Sequence, residues 1–378
     1  MFSEYNFRNF NFRLLICVLF LNVIGILVIN SAVAGDKSYI NRQLIGLFGG
    51  VLVALILSLI NYRIWMKLSG VIYLGCIGIL LAVILAGQLG GFGAGSRRWI
   101  DLPVIGRFQP SEFVKIGMIL FFSWYLQKNQ EKINQPVTLI MLGAFAAVPL
   151  LLIMRQPDLS TSIVIMFFIL CLIFIAGISY KWIFGALAVT VPMLALILYL
   201  ARLNLVPFLE PYQVNRILAF FNPEMEQYAG LNLQQDNSKM AIGSGMLYGK
   251  GLFNDTAISV KNGNFLSEDH TDFIFSVIGE ELGFVGGMIV LGLFLIFVFE
   301  CLRMAGRAGD LSGKLLCTGM AALVGFQAFT NIAVATGVFP NTGLPLPFIS
   351  YGVSSLVSLY IGTGIILNVG LQQMKPEI

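Results

Sequence analysis

Apolar residues fall in long runs along this chain, broken by short polar or proline-rich stretches. About ten runs stand out, near 13–34, 43–60, 68–88, 111–127, 136–154, 160–177, 181–201, 272–299, 312–337 and 349–371. Each is close to the roughly 20 residues that a helix needs to cross a bilayer. An even number of crossings puts both termini on one side. One connector, residues 202–271, is far longer than a simple link needs, and loops of that length are usually functional or disordered. The pattern predicts an all-α membrane protein with about ten transmembrane helices and a large loop between the seventh and eighth. It reads as one polytopic domain, 1–378, with the loop at 202–271 inside it.

Composition agrees with that reading. Of 378 residues, 57% are hydrophobic and 11% charged, and mean hydropathy is +0.86. A soluble domain of this size could not cover such a core with so little charge. The net charge of +4 is dispersed, which argues against nucleic acid as a partner. The opening MFSEYNFRNFNFRLLICVLF continues too far as an apolar run, and no small-residue cleavage site follows, so it reads as the first span and not as a signal peptide. Cys17, Cys76, Cys171, Cys301 and Cys317 all lie in or beside apolar runs and read as small fillers.

Charge orients the spans. With the termini inside, short inner segments carry Arg8, Arg13, Arg63, Lys67, Lys128, Lys132, Lys181, Arg303, Arg307, Lys314 and Lys375. Short outer loops carry only Lys37, Arg42, Arg97, Arg98, Arg107 and Arg155. The positive-inside rule then predicts cytoplasmic termini and an extracytoplasmic 202–271 loop. Arg97, Arg98 and Arg107 share one outer loop, GSRRWIDLPVIGRFQPSEF. They are either tolerated exceptions or an anion site, for which the planar guanidinium is suited.

Several polar groups sit where lipid would make them costly. In PSEFVKIG, Ser111 is a candidate helix cap and Glu112 suits a first turn. Lys115, three residues on, should pair with Glu112, with Asp158 of RQPDLSTS as a further candidate partner. PYQVNRILAFFNP, with Arg216 among aromatic and aliphatic residues, suits a helix lying in the interface. The glycine-rich AIGSGMLYGKGLFN could cradle an anion, though many tight turns look alike. No phosphate-loop or dinucleotide motif is present, so no nucleotide cofactor is expected. Stiff, uncharged FPNTGLPLPFISYG should line a cavity.

The stretch SEDHTDFIFSVIGEELGF is the most unusual. Thr271 is expected to cap the eighth span and to place Asp272 in its first turn. Glu280 and Glu281 lie about 12 Å deeper and, at 100° per residue, point elsewhere unless Gly279 or Gly283 distorts the helix. They are expected to be inter-helix pairing residues, which leaves Asp272 as the better chemical candidate. His270, the one histidine, has no second ligand at metal spacing and reads as a hydrogen-bonding residue.

In order along the chain, GSRRWI, QPSEFVK, QPDLSTS, NRILAFFNP, AIGSG, HTDFIFSVIGEELGF and LPLPFISYG resemble the SEDS proteins (shape, elongation, division and sporulation), of which RodA and FtsW are the best known. The matching strings span residues 95–354. Three positions depart from the common family pattern: Ser267, Ser160 and Val353, with an extra acid at Asp269. None removes a charged site residue.

The resemblance implies a bacterial cytoplasmic-membrane glycosyltransferase that polymerises lipid II into peptidoglycan. Undecaprenyl pyrophosphate would be the leaving group and a class B penicillin-binding protein the crosslinking partner. It implies that Asp272 is catalytic and Arg98 binds substrate. The family's Glu and Lys of PSEFxK correspond to Glu112 and Lys115, and its QPDL aspartate to Asp158. Arg97, Arg107, His270 and Arg216 complete the expected substrate-binding set, and Glu280 and Glu281 the cavity charges. Asp272 could serve as base or, with Asp269 and Glu268, hold Mg²⁺ or Mn²⁺. The short termini lean towards RodA over FtsW. A lipid II flippase is the alternative from another class, and a scaffold for partner proteins ranks below it.

Overall fold

The computed structural model describes residues 7–33, 35–88, 99–102, 106–156, 158–202, 211–221, 225, 229–253 and 269–372. Among these, helices cover every one of the apolar runs. They are α1 (Phe12–Ala32), α2 (Lys37–Ser58), α3 (Tyr62–Gln88), α4 (Pro110–Lys128), α5 (Pro136–Arg155), α6 (Leu159–Ile175), α7 (Tyr180–Arg202), α10 (Ile274–Arg307), α11 (Leu311–Ala335) and α12 (Val353–Leu371). Between α7 and α10 lie α8 (Pro211–Phe221) and α9 (Ala229–Ser244), both within the long connector. Seven helices, α1, α2, α3, α5, α10, α11 and α12, are long and apolar enough to cross a membrane, whereas α6 is shorter at 17 residues. This is a multi-pass helical architecture.

It is not wholly helical. Strands β1 (Ile100–Leu102) and β2 (Gly106–Phe108) form an antiparallel ribbon with Ile100 opposite Phe108. The ribbon occupies the arginine-bearing loop and leads directly into α4.

Helix starts follow local chemistry, with two corrections. Asp36 caps α2 by accepting from the Ser38 N–H at 2.9 Å, so that helix begins before its apolar run does. Ser111 does not cap α4. Pro110 occupies the first turn, where a missing N–H costs nothing, and Gln109 is the cap residue without a side-chain capping bond. Ser111 is instead buried inside the first turn.

The centre of the bundle is α11 and α12, most of whose residues are buried. α2 reaches α12 through one small-residue face, Gly46, Gly50 and Ala54, with Gln43 at its end. At Gly50 the Tyr360 ring occupies the space that a side chain would need. Close approach through small residues is how helices associate when lipid supplies no hydrophobic drive. α7 is peripheral, with its described side chains exposed or half-buried.

α10 is broken. Gly283 adopts φ 67° and ψ −165° inside a helix of 34 residues, a conformation that side chains disfavour. The freed backbone groups are taken by the glycine-rich segment after α9. Phe284 N–H donates to Met246 at 2.8 Å and Val285 N–H to Leu247 at 3.1 Å. In return Lys250 and Gly251 donate to the carbonyls of Glu280 and Glu281 at 2.9 and 3.0 Å. The segment expected as an anion cradle thus plugs a helix break, and its Gly249, Lys250 and Gly251 N–H groups are already used.

Candidate functional site

Asp272 lies in a turn just before α10, not in its first turn. Phe273 is the cap residue and Thr271 does not cap. The reason is tertiary: the carbonyls of residues 270–272 are held by other elements. Tyr351 N–H donates to His270 at 2.9 Å. The Ser350 hydroxyl donates to Thr271 at 2.6 Å, and Asn331 Nδ2 of α11 donates to Asp272 at 2.8 Å. Asn331 Nδ2 also reaches the Leu344 carbonyl at 2.6 Å, and Ser350 Oγ accepts from the Leu346 N–H at 2.8 Å. The turn and the proline-rich loop are thereby fixed to one another.

The half-buried Asp272 carboxylate lies against Gly343. That glycine has φ +71°, and a β-carbon there would stand 3.1 Å from Asp272 Oδ2. Glycine is required twice over, for backbone conformation and for room. Asp269 meets His270 Nδ1 at 3.2 Å. The His270 ring packs edge-on to Tyr39 of α2, with centroids 5.3 Å apart, and 5.9 Å from Tyr351. Gln43 of α2 braces the same loop, donating to the Ser350 carbonyl at 3.3 Å and accepting from Gly352 N–H at 3.2 Å.

The proline-rich loop is the floor that gathers the rest. Its Leu344, Leu346, Phe348 and Ile349 are buried. Arg216 of α8 reaches the Asn341 carbonyl at 3.5 Å, the outer limit for a hydrogen bond. Ser160, at the start of α6, donates to Thr342. Asp158 does not meet Lys115. It caps α6 through the Thr161 N–H at 3.1 Å, takes the Thr161 hydroxyl at 2.9 Å, and accepts from Gln109 Nε2 at 3.3 Å. A carboxylate at a helix N-terminus is favoured by the orphan N–H groups there, and this holds Asp158 away from α4's lysine.

Beneath the floor, Lys115 is fully buried and pairs with Glu112 at 2.8 Å. It also donates to Gln327 Oε1 at 3.2 Å, and Gln327 Nε2 donates to the Pro345 carbonyl at 3.2 Å. The ion pair is therefore connected to the loop under Asp272. Two charges this deep are tolerable only as a pair with further hydrogen bonds.

Glu280 and Glu281 do not join Asp272, because the break at Gly283 follows both. Glu280 binds Lys250 of the plug at 2.7 Å. Glu281 crosses between spans, taking the Ser31 hydroxyl of α1. Arg97, Arg98 and Glu268 lie outside the described residues, as does the side chain of Arg107, whose backbone is in β2. Among the described residues no cluster of three or more His, Cys, Asp or Glu could hold a metal. Sequence reasoning does not single out Gln327, Asn331, Gln43 or Ser350. Gln327 and Asn331 do carry a signal, being uncapped amides four residues apart on one face of an apolar span.

A polytopic helical bundle that carries a braced carboxylate and several polar residues at one of its ends is built to act on something at a membrane surface. The relatives give that class its family. A sequence profile of the FTSW_RODA_SPOVE family, described as "Cell cycle protein", matches residues 12–375, and the chain belongs to that family. It is 34% identical to a probable peptidoglycan glycosyltransferase FtsW of Trichlorobacter lovleyi, covering 97% of this chain and 94% of that protein. It is 33% identical to the peptidoglycan glycosyltransferase MrdB of Escherichia coli (strain K12), covering 94% and 92%. These identities place it about equally near FtsW-named and MrdB-named proteins.

Among solved structures, it matches one described as structural coordination of polymerization and crosslinking by a peptidoglycan synthase complex, with TM-score 0.77, 28% identity and 96% and 97% coverage. Thermus thermophilus RodA matches with TM-score 0.70, 26% identity and 97% and 98% coverage.

Proposed function

We propose that this chain is a peptidoglycan glycosyltransferase that polymerises lipid II at the outer face of the bacterial cytoplasmic membrane, with Asp272 at its reacting centre. The observation that carries this is the turn at 270–272. Three separate groups, the Tyr351 N–H, Asn331 of α11 and the Ser350 hydroxyl, hold its backbone, and its carboxylate lies against a glycine. Such bracing is what positioning of a reacting group requires.

In the reaction, the acceptor's 4-hydroxyl attacks C1 of the donor sugar. The C1–O bond to undecaprenyl pyrophosphate breaks as the new glycosidic bond forms. Asp272 orients the hydroxyl and takes its proton. Arg98, with Arg97 and Arg107, stabilises negative charge gathering on the pyrophosphate, and His270 and Arg216 border the substrate on the loop side. Glu112 and Lys115 position the floor through Gln327. An ionised aspartate is a weak base, so it acts late, once departure of the pyrophosphate has acidified the hydroxyl.

Asp269 is engaged with His270, and Asp272 takes the proton alone. Polymerisation after chelation, and after return of Mg²⁺ or Mn²⁺, tests whether Asp269 and Glu268 also hold a cation. Ten spans with cytoplasmic termini would put Asp272 and the 202–271 loop outside, where a class B penicillin-binding protein could crosslink the product. A RodA-like role in elongation is the narrower form of this reading.

Asp272→Asn in proteoliposomes separates this from lipid II flipping. The variant should bind lipid II and yield no glycan chains. Lipid movement that is lost while wild type also makes no polymer would favour the flippase.

A further inference from the structure

A polar cavity lies at the opposite end of α10 from Asp272, about 40 Å away along a helix rising 1.5 Å per residue. Its volume is about 310 Å³, and it is lined by Arg8 and Arg13 from the start of the chain and by Glu300, Arg303 and Arg307 from the end of α10. Glu300 is buried at 4% exposure. Its Oε2 accepts from Asn11 Nδ2 at 3.0 Å, while its Oε1 lies 3.4 Å from Arg303 and 3.8 Å from Arg13. Four guanidinium groups around one carboxylate leave an excess of three positive charges in the lining. Each guanidinium carries five N–H donors, far more than Glu300 can absorb.

The carboxylate sits about two turns before the C-terminus of α10, buried between arginines. Its presence there is explained if it orients Arg13 and Arg303 across the cavity. The surroundings are apolar: Phe12 is 61% exposed, Phe299 65% and Leu302 47%. A cationic cavity bordered by exposed apolar side chains at the end of two membrane helices matches a ligand with an anionic head and acyl tails.

We propose that this cavity binds the phosphate of an anionic membrane phospholipid. The headgroup phosphate would take bidentate hydrogen bonds from the arginines, and the acyl chains would lie along the exposed faces of α1 and α10. On that face a negatively charged leaflet would hold the end of α10 against the start of the chain. The inference does not rest on glycosyl transfer, and its readout is lipid retention.

The test uses the purified full chain, stripped of lipid, with added dioleoyl-phosphatidylglycerol, dioleoyl-phosphatidylcholine or inorganic phosphate. Bound lipid is counted by native mass spectrometry, and melting is followed in parallel. Wild type should retain one more phosphatidylglycerol than Arg303→Gln/Arg307→Gln and should melt higher with that lipid only. Affinity should fall about fivefold for each arginine removed. If the double variant does not fold, Arg307→Gln alone, at an exposed position, should show a single step. Equal retention by wild type and variants would overturn the proposal, as would equal protection by phosphatidylcholine. Protection by inorganic phosphate alone would assign the cavity to a free anion, and displacement of the lipid by an acidic peptide at matched charge would assign it to a protein partner.

Discussion

A carboxylate stands near each end of α10, Asp272 just before it and Glu300 within its last turns, and the protein treats them in opposite ways. At Glu300 the neighbouring polar groups bind the carboxylate itself: Asn11, Arg303 and Arg13 all face its oxygens. At Asp272 the neighbouring amides and hydroxyls bind the backbone on either side. Asn331, Ser350 and the Tyr351 N–H fix the turn, and the side chain is set against a glycine. The first arrangement neutralises an acid. The second positions one. The difference matches the two proposed roles, an acid that organises a binding cavity and an acid that reacts.

The largest difference between the two acids is expected at Gly343. Gly343→Val would strain a backbone at φ +71° and press a side chain onto Asp272 Oδ2. Misplacing a reacting group by about 1 Å can cost roughly 100-fold, so polymerisation should fall by about that factor while the protein still folds. A comparable substitution at Gly306, beside the arginine cavity, has open space around it and should leave turnover near wild type. Polymer yield from matched amounts of the two variants checks both.

Next in size is the buried pair beneath the floor. Lys115→Met would leave Glu112 charged and alone, a loss of about 3–5 kcal/mol when one partner of a buried pair is removed. Glu112→Gln with Lys115→Met should regain most of that stability, but not full activity, because Gln327 loses its donor. Melting temperature and turnover measured on the same preparations distinguish the two effects.

Asn331→Ala removes an amide that ties Asp272 to Leu344. The buried Leu344 carbonyl and the half-buried Asp272 carbonyl would then lack that partner, at about 1–3 kcal/mol for a buried group left unsatisfied. The expected signature is a fall in kcat with little change in KM, since substrate binding is left intact.

The smallest effect lies at Asp310, which caps α11 on the arginine side. Burial pushes its carboxyl up, but the Gly313 N–H, the hydroxyls of Tyr62 and Ser312, and Arg63 together hold it below the usual carboxylate range. A group whose folded pKa is lowered adds stability that is full above its unfolded value, about 3.9, and is lost as pH falls through the folded value. Asp310→Ala should cost about 1 kcal/mol at neutral pH and flatten the acid limb of the melting profile.

Much of this arrangement is legible in the order of the amino acids. Long apolar runs announce their helices because a spanning backbone must satisfy its own hydrogen bonds. Asp272, Glu112 and Lys115 stand out because charge inside such runs is expensive. What stays hidden is tertiary. Thr271 has the type and position of a cap, but capping loses to the bonds that tie residues 270–272 to the loop before α12. Asp158 is a plausible partner for Lys115, and helix capping at α6 takes it instead. The glycine-rich segment has the composition of an anion cradle, and its N–H groups go to a helix break that the sequence marks only by Gly283. The ribbon at 100–108 is too short for alternation to reveal it.

The most direct test of Asp272 is glycan chain growth from purified lipid II, with and without a class B penicillin-binding protein, using wild type and Asp272→Ala, with products resolved on a gel. Polymer from wild type and none from a folded variant that still binds lipid II is the predicted result. Equal polymer from both would contradict the placement of the reacting carboxylate at Asp272.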